Sequence, residues 1–344
     1  MKKAVISILM AGILAVNLAG CSGGTDNSKN AENSSGENYT ITLTHAVAED
    51  TSQQAGCLAF KEYVEENSEG KITVNIYPNS QMGGDREQIE GVQEGSITMM
   101  TCGSAAQANF VNSAIVFDGP FAFQTEEQME KVFADQEFID ALSAEYDKAG
   151  FHMMGLSSLG FRVTTANKEI RVPEDVKGLT IRTMENKYHM SLWKNLGANP
   201  TPLAFNELYT ALQQGTVEAQ ENPLELVYAQ KFYEQQKYVI ETRHLPQNLV
   251  WIMNKNYYDS LPDDLKAVVD EGAKKAVEGS VSYYKENNAE LEKKVTEAGV
   301  EIIDLTPEEL APFAEATASV WDEVKADCGE TVYTAFMNAL EASK

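Results

Sequence analysis

Arginine is scarce in this chain. Of 27 basic side chains only five are arginine, at 86, 162, 171, 182 and 243, set against 52 acids. Lysine supplies the general surface charge, so each arginine position asks for a reason. Histidine and cysteine are scarcer still, at four each. Cys57, Cys102 and Cys328 form no C-x-x-C and cannot all pair within one chain, so they are expected as small buried hydrophobes. His45, His152, His189 and His244 have no cysteine or histidine partner at metal-ligand spacing. They are expected as hydrogen-bonded structural residues, with no metal and no cofactor. A P-loop, a nucleophile elbow, H-E-x-x-H and G-x-G-x-x-G are all missing. "GLSSLG" (155–160) is rich in glycine and serine, but no helix N-terminus follows it to hold a phosphate. Nothing nominates an enzyme.

Long apolar runs are lacking too, except at the start. "MKKAVISILMAGILAVNLAGC" has a basic opening, an apolar stretch and small residues before Cys21. That is the pattern of a secretory signal peptide over residues 1–20, with a lipobox placing lipid on the Cys21 thiol. The run is too short for a spanning helix and Asn17 interrupts it. Residues 22–38 carry no aromatic side chain and no aliphatic one beyond Ala31, and read as a tether with a reach of about 20–25 Å. The expected localisation is extracytoplasmic, lipid-anchored to a bacterial cell membrane, with a soluble, monomeric body from Tyr39. Losing Lys2 and Lys3 would move the formal charge from −25 to −27. Such a body repels nucleic acid.

About 300 residues remain, enough for two domains with their own cores. "YTITLTH" and "KITVNIY" alternate as strands. A helical segment lies between them, and the short helix "REQIEGVQEG" and the strand "ITMMTC" follow. That order predicts a mainly parallel α/β sheet with helices on both faces. A second unit opens near Gly160 with strands "FRVTTA" and "LTIRTM", then the helix "NELYTALQQG". Residues 261–299 read as one long helix, Pro262 at its start and Gly299 at its end. At about 55 Å it is long enough to cross both domains. "TPEE" (306–309) is a capping box opening a later helix.

Three of the five arginines fall within 162–182, two of them on predicted strands of the second unit. A guanidinium holds a carboxylate through two parallel hydrogen bonds, which lysine does not. Taken alone, Arg182 reads first as a structural salt bridge. Three segments carry more: "YPNSQMGGDREQIEGVQEG", "VPEDVKGLTIR" and "LGANPTPLAFNELYTALQQGTVEAQENP". They resemble the solute-binding proteins of tripartite ATP-independent periplasmic (TRAP) transporters, over about residues 39–340.

The resemblance implies a two-domain α/β, periplasmic-binding-protein-like fold closing on a small organic acid. It also implies delivery of that acid to an ion-gradient-driven membrane permease. The family's carboxylate-binding arginine matches Arg182, a second arginine matches Arg162, the contacting asparagine matches Asn222, and Phe205 matches a pocket aromatic. Glu185 matches a position facing ligand in some members. Glu221, Gln247 and Asn248 are further candidates suited to hydroxyls. Arg86 is the one arginine near a loop of the first domain, and its neighbour Asp85 is expected to neutralise it. Arg171 is expected as a solvated strand-end charge. "CGSAAQ" (102–107) lacks the charges of sialic-acid-binding members. By analogy the first domain is 39–159 plus 248–287 and the second 160–247 plus 288–344. The expected ligand is a hexuronate or other sugar acid, with a C4-dicarboxylate or 2-oxo acid as the alternative. A binding lipoprotein serving a sensor kinase and a secreted hydrolase of acidic sugars are the readings from other classes.

Overall fold

The computed structural model describes residues 38–344, so the expectations for residues 1–37, including Cys21, lie outside the described residues. The first sheet has the order β2-β1-β3-β10-β4, with β1 Tyr39–Thr44, β2 Ile72–Tyr77, β3 Met99–Cys102, β4 Phe151–Phe161 and β10 Pro246–Asn254. The second has the order β11-β9-β5-β8-β6-β7. Its strands are β5 Val163–Ala166, β6 Thr180–Thr183, β7 Asn199–Pro202, β8 Ala219–Asn222, β9 Tyr238–Glu241 and β11 Glu301–Asp304. The fold is thus α/β and two-domain, with one sheet in each half.

The sheets are less parallel than the strand–helix alternation suggests. β10 runs antiparallel to both β3 and β4, and β5 runs antiparallel to both β8 and β9. The reason is topological. The chain leaves the first sheet through β4 and enters the second as β5, then returns from β9 into β10. The two crossings lie side by side, tied by the Arg162 N–H donating to the Leu245 carbonyl at 3.0 Å. "FRVTTA" is therefore split: Phe161 ends β4, Val163 begins β5, and Arg162 is the joint. Gly160, just before it, has φ +76°, and a Cβ there would lie 2.0 Å from the Tyr284 hydroxyl. Only glycine fits that position.

The long helix spans Asp263–Glu297, with Pro262 as its N-cap and Gly299 at φ +94° two residues past its end. Its 35 residues extend about 52 Å. It packs on the helix Ser52–Asn67 and on β4, then on Leu224–Ala229 and β11, so it serves both halves. Its approach to Ser52–Asn67 relies on small residues; a Cβ at Gly56 would lie 2.6 Å from the Ala276 carbonyl. Thr306 and Glu309 form the expected capping box.

Ile41, Leu43, Phe60, Val64, Trp251 and Val269 form one core on the first sheet. Val163, Leu208, Val227, Phe232 and Val295 form another on the second. A third contains edge-to-face phenylalanines 117, 123, 133, 138 and 336. Each buried ring contributes about 1.5–3 kcal/mol. Phe336 belongs to the last helix, Glu330–Ala342, which packs on helices Glu126–Phe133 and Gln136–Lys148. The end of the chain thus sits against elements of the expected first domain, drawn there by its aromatic face. Cys57, Cys102 and Cys328 are free and buried. No helix among the described residues is long and apolar enough to cross a membrane.

Candidate ligand-binding site

The carboxyl ends of strands from both sheets converge, which is where open α/β sheets bind ligands. Val47, Gln53, Asp85, Cys102, Gly103 and Gln247 arrive from the first half. Arg162 comes from the crossing, and Arg182, Met184, Phe205, Asn222 and Leu226 come from the second. Together they enclose a cavity of about 40 Å³. Asp85, Arg182, Met184 and Phe205 also line an outer chamber of about 190 Å³, with Arg86, Asn109, Glu185 and Glu207 on its walls.

Arg182 projects from β6 and is 2% exposed. Its Nε and Nη2 both donate to the Leu203 carbonyl, at 3.1 and 2.8 Å, and its guanidinium lies 5.9 Å from the Phe205 ring centroid. Nη1 is buried with no hydrogen-bond partner among the described residues, and no carboxylate pairs with this cation. Burial lowers its pKa to about 10, against support from Glu221, Asp85 and Glu185. A buried guanidinium left unpaired is costly. The arrangement is that of a cation held ready for an anion.

Arg162, the other matched arginine, is differently placed. Its Nε donates to Glu221 Oε2 at 2.6 Å, and Nη2 to Glu221 Oε1 and the Glu221 carbonyl, at 3.0 and 2.8 Å. Nη2 also reaches Asn222 Oδ1 at 3.1 Å, and Nη1 donates to Gln247 Oε1 at 2.8 Å. Its charge is matched before any ligand arrives, so it is not a free second fork. Asn222 is likewise engaged, its amide nitrogen donating to Gln220 Oε1 at 2.5 Å. Glu221, expected to face hydroxyls, is fully buried behind the cavity and does not line it. It collects too many donors to be spare: His244 Nε2 lies 3.2 Å and His189 Nδ1 3.6 Å from its oxygens, in addition to Arg162.

That cluster continues to Asp118, 3.1 Å from His189 Nε2. Burial by itself would lower the His189 pKa, but bonds and charges from Asp118 and Glu221 outweigh it and raise the ring to about 9. Burial would raise Glu221, but Arg162 and the two histidines hold it well below the usual carboxylate range. Burial lowers His244, which is therefore neutral, with Nε2–H donating to Glu221 and Nδ1 accepting from Thr242 at 2.9 Å. A carboxylate only accepts, so the tautomer follows. Sequence reading treats these histidines as hydrogen-bonded structural residues but does not place them behind the site. The 54 residues between them give no signal, nor does Asp118.

The remaining candidates divide by position. Gln247 lines the cavity. Asn248 lies one layer back, its Oδ1 accepting from the Ser104 N–H at 2.9 Å while its buried Nδ2 lacks a partner. Asp85 opens the helix Asp85–Glu94 and faces both chambers, its side chain without a hydrogen bond among the described residues. Burial, opposed by Arg182 and aided by Glu87, raises its pKa to about 6. Asp85 does not neutralise Arg86. Glu185 does, at 3.2 Å from Arg86 Nε. Arg171 is half-exposed beside Glu169 and Glu309. Gln53, unnoticed in sequence, donates its amide to the Thr101 carbonyl and lines the cavity. Next to it, the Ser52 N–H and hydroxyl donate to the Glu225 carboxylate at 2.8 and 2.6 Å, tying the two halves together beside the cavity.

Two sheets meeting over a small chamber with one uncompensated cation define a binding protein for a small organic anion. Residues 43–327 match the family model described as bacterial extracellular solute-binding protein, family 7, and the chain belongs to that family. Its members are extracytoplasmic solute-binding proteins of TRAP transporters, not enzymes. The C4-dicarboxylate-binding periplasmic protein DctP of Rhodobacter capsulatus is 31% identical over 299 residues, covering 86% of this chain and 90% of its own. The structure of the sugar acid binding protein DctPAm from Advenella mimigardefordensis in complex with galactonate superposes with a TM-score of 0.85. It is 28% identical and covers 90% of this chain and 99% of its own. A TRAP solute binding protein from Anaerococcus prevotii with bound glucuronate gives a TM-score of 0.84 at 27% identity, over 88% of this chain and 99% of its own.

Proposed function

We propose that this protein captures a hydroxylated monocarboxylate, a hexuronate or related sugar acid, and delivers it to an ion-gradient-driven permease. The observation that carries this reading is the charge count of the cavity. Among the described residues Arg182 is the one buried arginine of the cavity outside an ion pair, with Asp85 beside it on the lining, while Arg162 is paired with Glu221 and Arg86 with Glu185. One carboxylate is therefore matched and a second is not. The ligand's carboxylate takes Arg182 Nη1 and the free Nη2 hydrogen. Its hydroxyls face Asp85, Gln53, Gln247 and Asn222, which supply acceptors and amides in place of a second cation. Bound galactonate and glucuronate in two similar structures support the same class.

A C4-dicarboxylate is the second reading, favoured by the Rhodobacter relative's name and by Arg86 on the outer chamber wall. Calorimetry decides between them. Galactonate or glucuronate should bind with a dissociation constant at least about tenfold below that of succinate, a gap of about 1.4 kcal/mol. Tight succinate binding with no detectable sugar-acid binding would overturn the ligand and leave the transporter role standing. We assign the halves as 39–159 plus 248–287 and 160–247 plus 288–344, with the last helix docked back on the first. We further propose that the body is carried on a lipid at Cys21.

A further inference from the structure

Arg86 and Glu185 stand 99 positions apart in sequence and meet across the outer chamber. Arg86 is the second residue of the helix Asp85–Glu94, in the first half, and Glu185 follows β6 in the second. Their contact is a single bond from Nε to Oε2 at 3.2 Å, with the two side chains 42% and 45% exposed. Both Arg86 terminal nitrogens are without a hydrogen bond among the described residues. The Glu185 backbone is fixed separately, because Asn109 Nδ2 donates to its carbonyl at 2.8 Å. The Glu185 backbone is thus held at the chamber wall independently of the bond to Arg86.

We propose that this pair is the charge filter of the site: Glu185 masks Arg86, and that masking excludes ligands with a second carboxylate. The inference rests on the monocarboxylate reading above and adds the residue that enforces it. Half-exposed ion pairs contribute little to stability, about 0–1 kcal/mol. The pair is therefore poorly explained as a fold-stabilising bridge. Its effect falls on whatever enters the chamber. With Glu185 ionised, Arg86 and Glu185 together present no net charge to the distal end of a ligand, while Asp85, Glu87 and Glu207 nearby make a second carboxylate unwelcome. With the Glu185 carboxylate removed, Arg86 becomes a second cation in the chamber that Arg182 also lines. Recognition by exclusion needs such a repulsive or cancelling element as well as an attractive one.

The test is a double-mutant cycle read with two probes, galactonate and succinate, by calorimetry at low salt. Glu185→Gln should tighten succinate by about tenfold and leave galactonate within about threefold. Arg86→Gln alone leaves Glu185 unpaired on the chamber wall and should weaken succinate by more than galactonate. Arg86→Gln introduced into the Glu185→Gln protein should abolish the succinate gain. That gain should also shrink as salt rises toward 0.5 M, because the pair is half-exposed. A succinate gain that survives in the double variant would overturn the filter, since the effect would then be repulsion by Glu185 alone. So would no gain in Glu185→Gln, or tighter succinate binding in Arg86→Gln alone. Failure of the monocarboxylate reading looks different: unmodified protein binds succinate tightly and galactonate not at all. Both residues are exposed, and thermal unfolding of each variant within about 2 °C of the parent confirms that binding alone has changed.

Discussion

Replacing Arg182 with alanine should separate binding from stability, because its charge is uncompensated. The folded protein holds this guanidinium with a pKa lowered to about 10 from an ordinary 12.5. The fold therefore binds that proton less tightly than the unfolded chain does, and the charged form costs stability at any pH below about 10. At 1.36 kcal/mol per pKa unit the cost is on the order of 3 kcal/mol. Truncation removes it but strands the Leu203 carbonyl, which Nε and Nη2 now satisfy, at about 1–3 kcal/mol, and leaves a void. The terms nearly cancel, so the unliganded melting temperature should move by no more than about 4 °C. Binding should respond very differently. Cutting one partner from a buried charge pair costs about 2–5 kcal/mol, so affinity for the organic acid should fall about 30- to 5,000-fold. Arg182→Lys retains the charge without the two-pronged geometry and should lose at least about tenfold. In a thermal-shift assay, ligand at 100 times its dissociation constant adds about 2.7 kcal/mol to the parent; the same concentration should add at most about 0.9 kcal/mol to Arg182→Ala. A large fall in the unliganded melting temperature with the ligand shift intact would refute the reasoning and make Arg182 a structural cation.

Glu221→Gln should behave in the opposite way, lowering the unliganded melting temperature through a loss of about 3–5 kcal/mol, since Arg162 and protonated His189 lose their common counter-charge; a neutral effect in a chemical denaturation curve would contradict the network. With pH, the Glu221 contribution is present above the unfolded carboxylate pKa near 4.5 and is lost as pH falls through its depressed folded value. The His189 contribution is complete below 6.5 and is lost as pH rises through about 9. Asp85, raised to about 6, adds a milder loss between about 4 and 6. Thermal melts should therefore be highest near pH 4.5–5, fall as Asp85 ionises toward pH 6, and decline further toward 9. Cys21→Ser should shift the protein from membrane to soluble fractions while leaving ligand affinity unchanged; retention on the membrane would argue against the thiol as the anchor.

The fold was legible where local chemistry decides it. Tyr39–Thr44 and Ile72–Tyr77 alternate, and Pro262 and Gly299 bracket the long helix, so those elements follow from period and caps. Antiparallel β5 and β10 were not legible, because strand direction depends on where the chain crosses between sheets. Arg182 could be singled out from arginine scarcity and motif. That its Nη1 has no partner, while Arg162 is already spent on Glu221, depends on residues brought together from 59 positions apart. Spacing along the chain carries no record of that. The choice of Glu185 over Asp85 as partner of Arg86 has the same origin: Asp85 is adjacent in sequence, but its side chain is turned into the cavity.

The cluster behind Arg162 has an electrical consequence. Asp118, His189, Glu221 and Arg162 alternate in sign and, with His189 protonated and His244 neutral, their formal charges cancel. From the cavity such an array is a multipole, whose potential decays faster with distance than that of an isolated ion. The ligand therefore feels mainly the charges on the cavity wall itself, Arg182 and Asp85. Removing one proton from His189 turns the array into a net anion close behind the binding surface. Anion affinity should then weaken as pH passes about 9, although His189 itself never touches the ligand.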